Sequence, residues 1–157
     1  MDIRYKLEGA YFRCRLFNIV SARDAFHDIV KTALQRDGWF ITHDLYPLQA
    51  GSFDLAIDLG AEKVIAAEQG EKKIAVEIKS FLGPSKITAF YAAMGQFITY
   101  RSALRVQEKD RVLYLATPSD IYSRFFVTPF IAELVEQNQL YLLIYDIDQE
   151  VIKRWIP

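Results

Sequence analysis

The sequence predicts an α/β layered domain built on a mixed sheet. Three observations carry this expectation. Ile74, Val76 and Ile78 alternate with Ala75, Glu77 and Lys79, the period-two pattern of a strand. Apolar residues recur at helical spacing in two stretches: Phe26, Ile29, Val30, Ala33 and Leu34, then Ile87, Tyr91, Met94 and Ile98. The strand over 111–116 holds a continuous apolar run from Val112 to Ala116, as a central strand does. The resulting order is helix, three strands in a meander, helix, strand, then helices and two strands.

Taken in order, residues 1–20 form an N-terminal extension. Its Tyr11, Phe12, Leu16, Phe17 and Ile19 suit a strand or a short helix, an arm that docks on the body or on a partner. Ser21 is the expected N-cap of a helix over 22–37, and Gly38 the expected left-handed residue after it. His27, beside the apolar stripe, reads as a packed or solvated histidine rather than a ligand. A strand starts at Trp39 and ends near Pro47, and residues 49–52 signal a turn. Phe53, Leu55, Ile57 and Leu59 then alternate with Asp54, Ala56, Asp58 and Gly60, a strand with two carboxylates on its polar face. The chain stays extended over 64–68, turns at 69–72 and enters the strand of Glu77.

Gly83, Pro84 and Ser85 stop that strand and start a helix over 86–104, with Gln96 and Tyr100 four residues apart on one face. After the 111–116 strand come a short helix over 121–126, a helix over 130–137 opened by Thr128 and Pro129, a strand over 141–147 and an edge strand over 151–156.

The 157 residues fit one domain, 21–157, with a substantial core. Hydrophobic residues make up 52% and charged residues 25%, an ordinary globular balance. The net charge of −1 gives no overall attraction for nucleic acid, so any contact with DNA must use a local basic patch. A single cysteine, Cys14, excludes an internal disulfide and a multi-cysteine zinc site. No apolar run approaches the length of a membrane span, and the N-terminus lacks the apolar block of a signal peptide. These readings lead to the expectation of a cytoplasmic protein without membrane association.

The chemistry concentrates in Glu77-Ile78-Lys79. A carboxylate and an amine two residues apart share one face of a strand. A metal-dependent phosphodiesterase uses such a pair: the carboxylate holds a divalent cation, and the lysine assists the attacking water or offsets phosphate charge. A surface ion pair on a half-solvated strand, worth little, is the plain alternative. If Gly70-Glu71 is a two-residue turn, Glu77 faces Val64 and Lys79 faces Glu62. Asp54, Asp58, Glu62, Glu77 and Lys79 then point one way. Glu62 is one diagonal step from Glu77. Asp58 is roughly 20 Å along a straight strand and needs a bend at Gly60 to arrive. Simple geometry favours Glu62, and Asp58 stays open.

An acidic residue, then Glu77-x-Lys79 on the next strand, then Gln96-x-x-x-Tyr100 on a helix, resembles the PD-(D/E)xK nuclease superfamily and its RecB-like branch. The resemblance implies a restriction-endonuclease-like core. It further implies Mg²⁺ held by Glu77 with Asp58 or Glu62, catalysis by these residues with Lys79 and Gln96, and phosphate contact by Lys86 and Tyr100. Longer stretches at 22–28, 37–44, 58–63, 75–81, 95–96, 118–122 and 155–157 resemble the XisH family from about residue 21 to the end. That resemblance implies control of excision of the fdxN element, a DNA rearrangement of cyanobacteria during heterocyst differentiation, with a small XisI-like partner. DNA and a homo-oligomer are further expected partners. The readings that follow are a metal-dependent DNA endonuclease, a catalytically inactive accessory factor on the same fold, and a toxin-like nuclease with an antitoxin partner.

Overall fold

The computed structural model describes residues 5–7, 10–12, 19–54 and 64–157, with side chains over 25–53 and 65–157. It is an α/β/α arrangement around a six-stranded mixed sheet. The elements that build it are α1 (Ile19–Arg36), β3 (Phe40–Asp44), β6 (Val64–Gln69), β7 (Lys72–Ile78), α2 (Lys86–Gln107), β8 (Arg111–Pro118), α4 (Pro129–Gln137), β9 (Leu142–Asp146) and β10 (Val151–Ile156). Two small ribbons precede or interrupt them: β1 (Tyr5–Leu7) with β2 (Ala10–Phe12), and β4 (Gln49–Ala50) with β5 (Phe53–Asp54). A single turn, α3 (Ser119–Ile121), leads into a π-helical turn over Tyr122–Phe126.

The sheet order is β10-β9-β8-β7-β6-β3. The β3, β6 and β7 strands form the expected antiparallel meander. The β7 and β8 strands are parallel, joined by α2, and β8 and β9 are parallel, joined by the helical segments between them. The turn at Gly70 (φ +59°) sets the register, and Val64 faces Glu77 as the two-residue turn requires.

Helix α1 begins two residues before the expected cap, so Ser21 lies inside its first turn, a shift within the ordinary fraying of helix ends. Its C-terminus closes as a Schellman motif: Gly38 N–H donates to the Gln35 carbonyl and Trp39 N–H to the Leu34 carbonyl. Gly38 has φ +86°, a conformation glycine adopts without a Cβ penalty. Phe26, Val30 and Leu34 pack on Ile65, Ala67, Ile74 and Val76, covering one sheet face.

Helix α2 covers the other face. Ser85 caps it, its hydroxyl accepting from the Thr88 N–H at 3.3 Å. The buried stripe is Phe90, Ala93, Phe97, Tyr100, Ala103 and Leu104, not the Ile87–Tyr91–Met94–Ile98 stripe that spacing suggests. Tyr91 is 54% exposed and Ile98 37%. The helix is apolar on two sides, so periodicity alone could not choose between them. Because α2 lies over Ala75 and Glu77, both faces of β7 are buried. This excludes the plain alternative of a half-solvated strand carrying a surface ion pair.

The strand predicted from Phe53 to Leu59 is described only as Phe53–Asp54, which pairs with Gln49–Ala50 outside the main sheet. The rest of that prediction lies outside the described residues. The helix predicted over 121–126 is π-helical: Val127 N–H reaches the Tyr122 carbonyl.

Helix α4 ends in a Schellman pairing with a non-glycine residue, Gln139, at φ +50°. Its side chain is exposed. Gln139→Gly is expected to stabilise the protein by about 0.5–1 kcal/mol, read as a higher urea midpoint with an unchanged slope.

Candidate active site

The β7 strand carries Glu77 onto the face covered by α2, between Val64 of β6 and Leu115 of β8. Lys79 follows one residue past the strand end and stays in the ladder through its N–H to the Ala116 carbonyl, at 3.1 Å. Its ammonium donates to Gln96 Oε1 on α2 and lies 3.6 Å from Glu77 Oε1. The side chain of Glu77 is 0% exposed and that of Lys79 8%. Neither Glu77 oxygen has a hydrogen-bond partner among the described residues. Burial pushes the Glu77 carboxyl up to about 8.

Tyr100, one turn along α2 from Gln96, is 2% exposed. Burial, and then the charge of Glu77, pushes its phenol up to about 12. Thr117 follows the Ile78–Ala116 pair on β8, on the same side of the strand as Leu113 and Leu115. Its hydroxyl is fully buried with no partner among the described residues. Sequence reasoning did not single out Thr117. The signal was available: a threonine two residues beyond Leu115 on a strand aligned in parallel with β7.

Past Lys79 the chain bends sharply. Phe81 takes φ +54°, a conformation that costs a bulky residue about 1–2 kcal/mol. Its ring is buried edge-on against Phe126, at 5.4 Å between centroids. The π-helical turn directs Phe125 and Phe126 together toward Phe81 and Phe90. Aromatic packing therefore holds the strained turn that follows the lysine.

Glu77, Lys79, Gln96 and Tyr100 thus come together under α2. Lys86, in the first turn of the same helix, is exposed, and ten residues separate it from Gln96, about 15 Å along the axis. Asp58, Glu62 and the side chain of Asp54 lie outside the described residues. His27 is buried on the opposite sheet face, where its Nε2 meets Asp44 Oδ1 at 2.6 Å.

Among the described residues no three His, Cys, Asp or Glu side chains gather into a metal site. A hard cation nevertheless suits Glu77. Two buried carboxylate oxygens without donors are costly, and an oxygen-seeking divalent ion satisfies both.

Fold and site together define a layered α/β protein whose mixed sheet presents a buried Glu-x-Lys pair to a glutamine on the covering helix. The chain belongs to the XisH family, whose model, described as XisH protein, matches residues 20–153. Two solved structures are similar to it. An XisH family protein from Nostoc punctiforme PCC 73102 is 48% identical with a TM-score of 0.79, over 85% of this chain and 100% of that one. An fdxN element excision controlling factor protein from Anabaena variabilis is 50% identical with a TM-score of 0.79, over 85% of this chain and 99% of that one. No curated protein matches the chain. No helix among the described residues is long and apolar enough to cross a membrane.

Proposed function

We propose that this chain is a controlling factor for programmed excision of a DNA element, and that Glu77, Lys79 and Gln96 form its metal-dependent phosphodiester-cleaving site. The excision role rests on the 50% identical relative. The chemistry rests on one observation: Glu77 is fully buried, its oxygens lack hydrogen-bond donors among the described residues, and an ammonium stands 3.6 Å away.

In this reading Glu77, with Asp58 or Glu62, would hold Mg²⁺. The ion supplies Lewis-acid polarisation of a phosphate oxygen. Glu77 would hold the ion as a carboxylate, so metal binding would strengthen with pH. Lys79 offsets negative charge that develops on the phosphate. Gln96 accepts from the ammonium and fixes its direction, and the buried Tyr100 ring lies one turn further along the same helix. DNA is the substrate, and a small XisI-like protein is the partner.

The test is cleavage of supercoiled plasmid in Mg²⁺ or Mn²⁺. Glu77→Ala and Lys79→Ala are each expected to slow cleavage by about 100-fold or more. Undiminished cleavage by either variant rejects the site. The alternative is a catalytically inactive factor of the same fold that acts through partner or DNA binding. The net charge of −1 favours it, since strong self-driven attraction to DNA is absent. It predicts excision that survives Lys79→Ala and no Mg²⁺ uptake in calorimetry.

A further inference from the structure

A polar concavity lies toward the C-terminal end of α2. It is a pocket of about 240 Å³ between the last turns of α2 and the start of β8. Arg101, Arg105, Lys109 and Arg111 line it, together with Gln139 and Tyr141, and no carboxylate does. Arg111 is neutralised from behind by Glu108 and Glu68. Arg105 and Lys109 are exposed and form no ion pair among the described residues.

Arg101 is held in place. One of its guanidinium nitrogens donates to the carbonyls of Asn138 and Gln139 at 2.8 and 2.9 Å, and the group sits 5.4 Å over the Phe97 ring. Burial, and then the nearby charge of Arg105, holds Arg101 below the ordinary arginine range. The negative end of the α2 dipole accounts for one cation in the last turn. It does not account for three lining one concavity without a counter-charge among the described residues.

We propose that this pocket binds a backbone phosphate of a nucleic-acid strand, with Arg101, Arg105 and Lys109 as its cationic wall. The guanidinium fork matches phosphate oxygens, and the volume admits one phosphate rather than a folded acidic segment. Arg105 is nine residues beyond Gln96, about 13 Å along the helix, which is roughly four base steps of one DNA strand. The inference rests on the proposed action on DNA and gives that action a second anchoring point.

The test is fluorescence anisotropy of a labelled duplex oligonucleotide titrated with protein, across salt, in EDTA and in Ca²⁺, so that cleavage is not read. The double variant Arg105→Ala/Lys109→Ala is expected to bind at least tenfold more weakly. Its log Kd against log salt should be shallower by about 1.8, the release of two counter-ions. Lys72→Ala/Arg154→Ala, which removes equal charge from exposed sites elsewhere, is expected to bind within about twofold of wild type. Equal losses in the two variants, or an unchanged slope in the first, overturn the pocket while leaving the cleavage site standing. Wild type that binds no duplex overturns both. Polyglutamate that displaces DNA as well as competitor DNA does, at matched charge, overturns the phosphate assignment.

Discussion

Glu77→Gln is expected to make the protein more stable at pH 8 while removing its response to divalent metal. Burial raises the Glu77 carboxyl to about 8 from an ordinary 4.5. Between those values the folded state keeps a proton that the unfolded chain has released. The stability associated with Glu77 is therefore fully present below pH 4.5 and is lost as pH rises toward and through 8. The loss is on the order of 4 kcal/mol, or roughly ten degrees in Tm for a chain of this length. Glutamine is neutral at every pH, so the variant's melting temperature should stay flat across this window, and the two proteins should converge near pH 5. In Mn²⁺ or Mg²⁺ the wild type should regain stability at pH 8, by about 2.7 kcal/mol at a hundredfold excess over Kd. The variant should regain none. Thermal melts at pH 5, 6.5 and 8, with and without metal, decide this. A variant that keeps the wild-type pH slope, or the wild-type metal shift, removes Glu77 from the centre of the site.

Arg111→Met is expected to be the most damaging substitution outside the site, at about 3–5 kcal/mol. Arg111 is 5% exposed, at the start of β8. Its Nε donates to Glu108 at 2.7 Å, one terminal nitrogen donates to the Ile74 carbonyl at 2.9 Å, and the other to Glu68 at 3.0 Å. The guanidinium also lies 5.0 Å from the centre of the Tyr46 ring. The group therefore joins the end of α2, the β6–β7 hairpin and the loop after β3. Methionine matches its stem but leaves Glu108 with only Tyr46 and Lys73, at 2.7 and 3.0 Å. The arginine bonds, ahead of those from Tyr46 and Lys73, hold the Glu108 carboxyl at about 2, below the ordinary 4.5. That stability is present above pH 4.5 and is lost as pH falls toward 2. The variant should thus show a weaker stability change between pH 4.5 and 2, as well as a lower urea midpoint at neutral pH. Arg111→Lys should rescue little, because a single ammonium cannot serve a fork of acceptors on three segments. A loss below about 1 kcal/mol for the methionine variant would show that the hub is only a surface network.

Much of this is legible in the sequence. Alternation at Ile74, Val76 and Ile78 gives β7, and Gly70-Glu71 gives a turn whose geometry leaves one register, the one that pairs Val64 with Glu77. Gly38 gives the helix end, and Glu77, Lys79 and Gln96 are recognisable by type and order. The buried stripe of α2 was not legible, because its sequence is greasy on two sides and only the sheet beneath selects Phe90, Phe97 and Leu104. The Arg111 hub was not legible either, since its partners at positions 46, 68, 74 and 108 are gathered by folding alone.

The amino-acid order by itself determined which residues alternate, where the chain turns and which chemical groups share one side of a strand, because these depend on neighbours a few positions apart. Only the tertiary structure decided that the polar side of β7 lies beneath α2 instead of facing water. That placement strips the solvent from Glu77, lets its carboxyl keep a proton up to about 8, and brings Gln96 onto Lys79. Burial is set by what packs from elsewhere in the chain, and local periodicity carries no record of it.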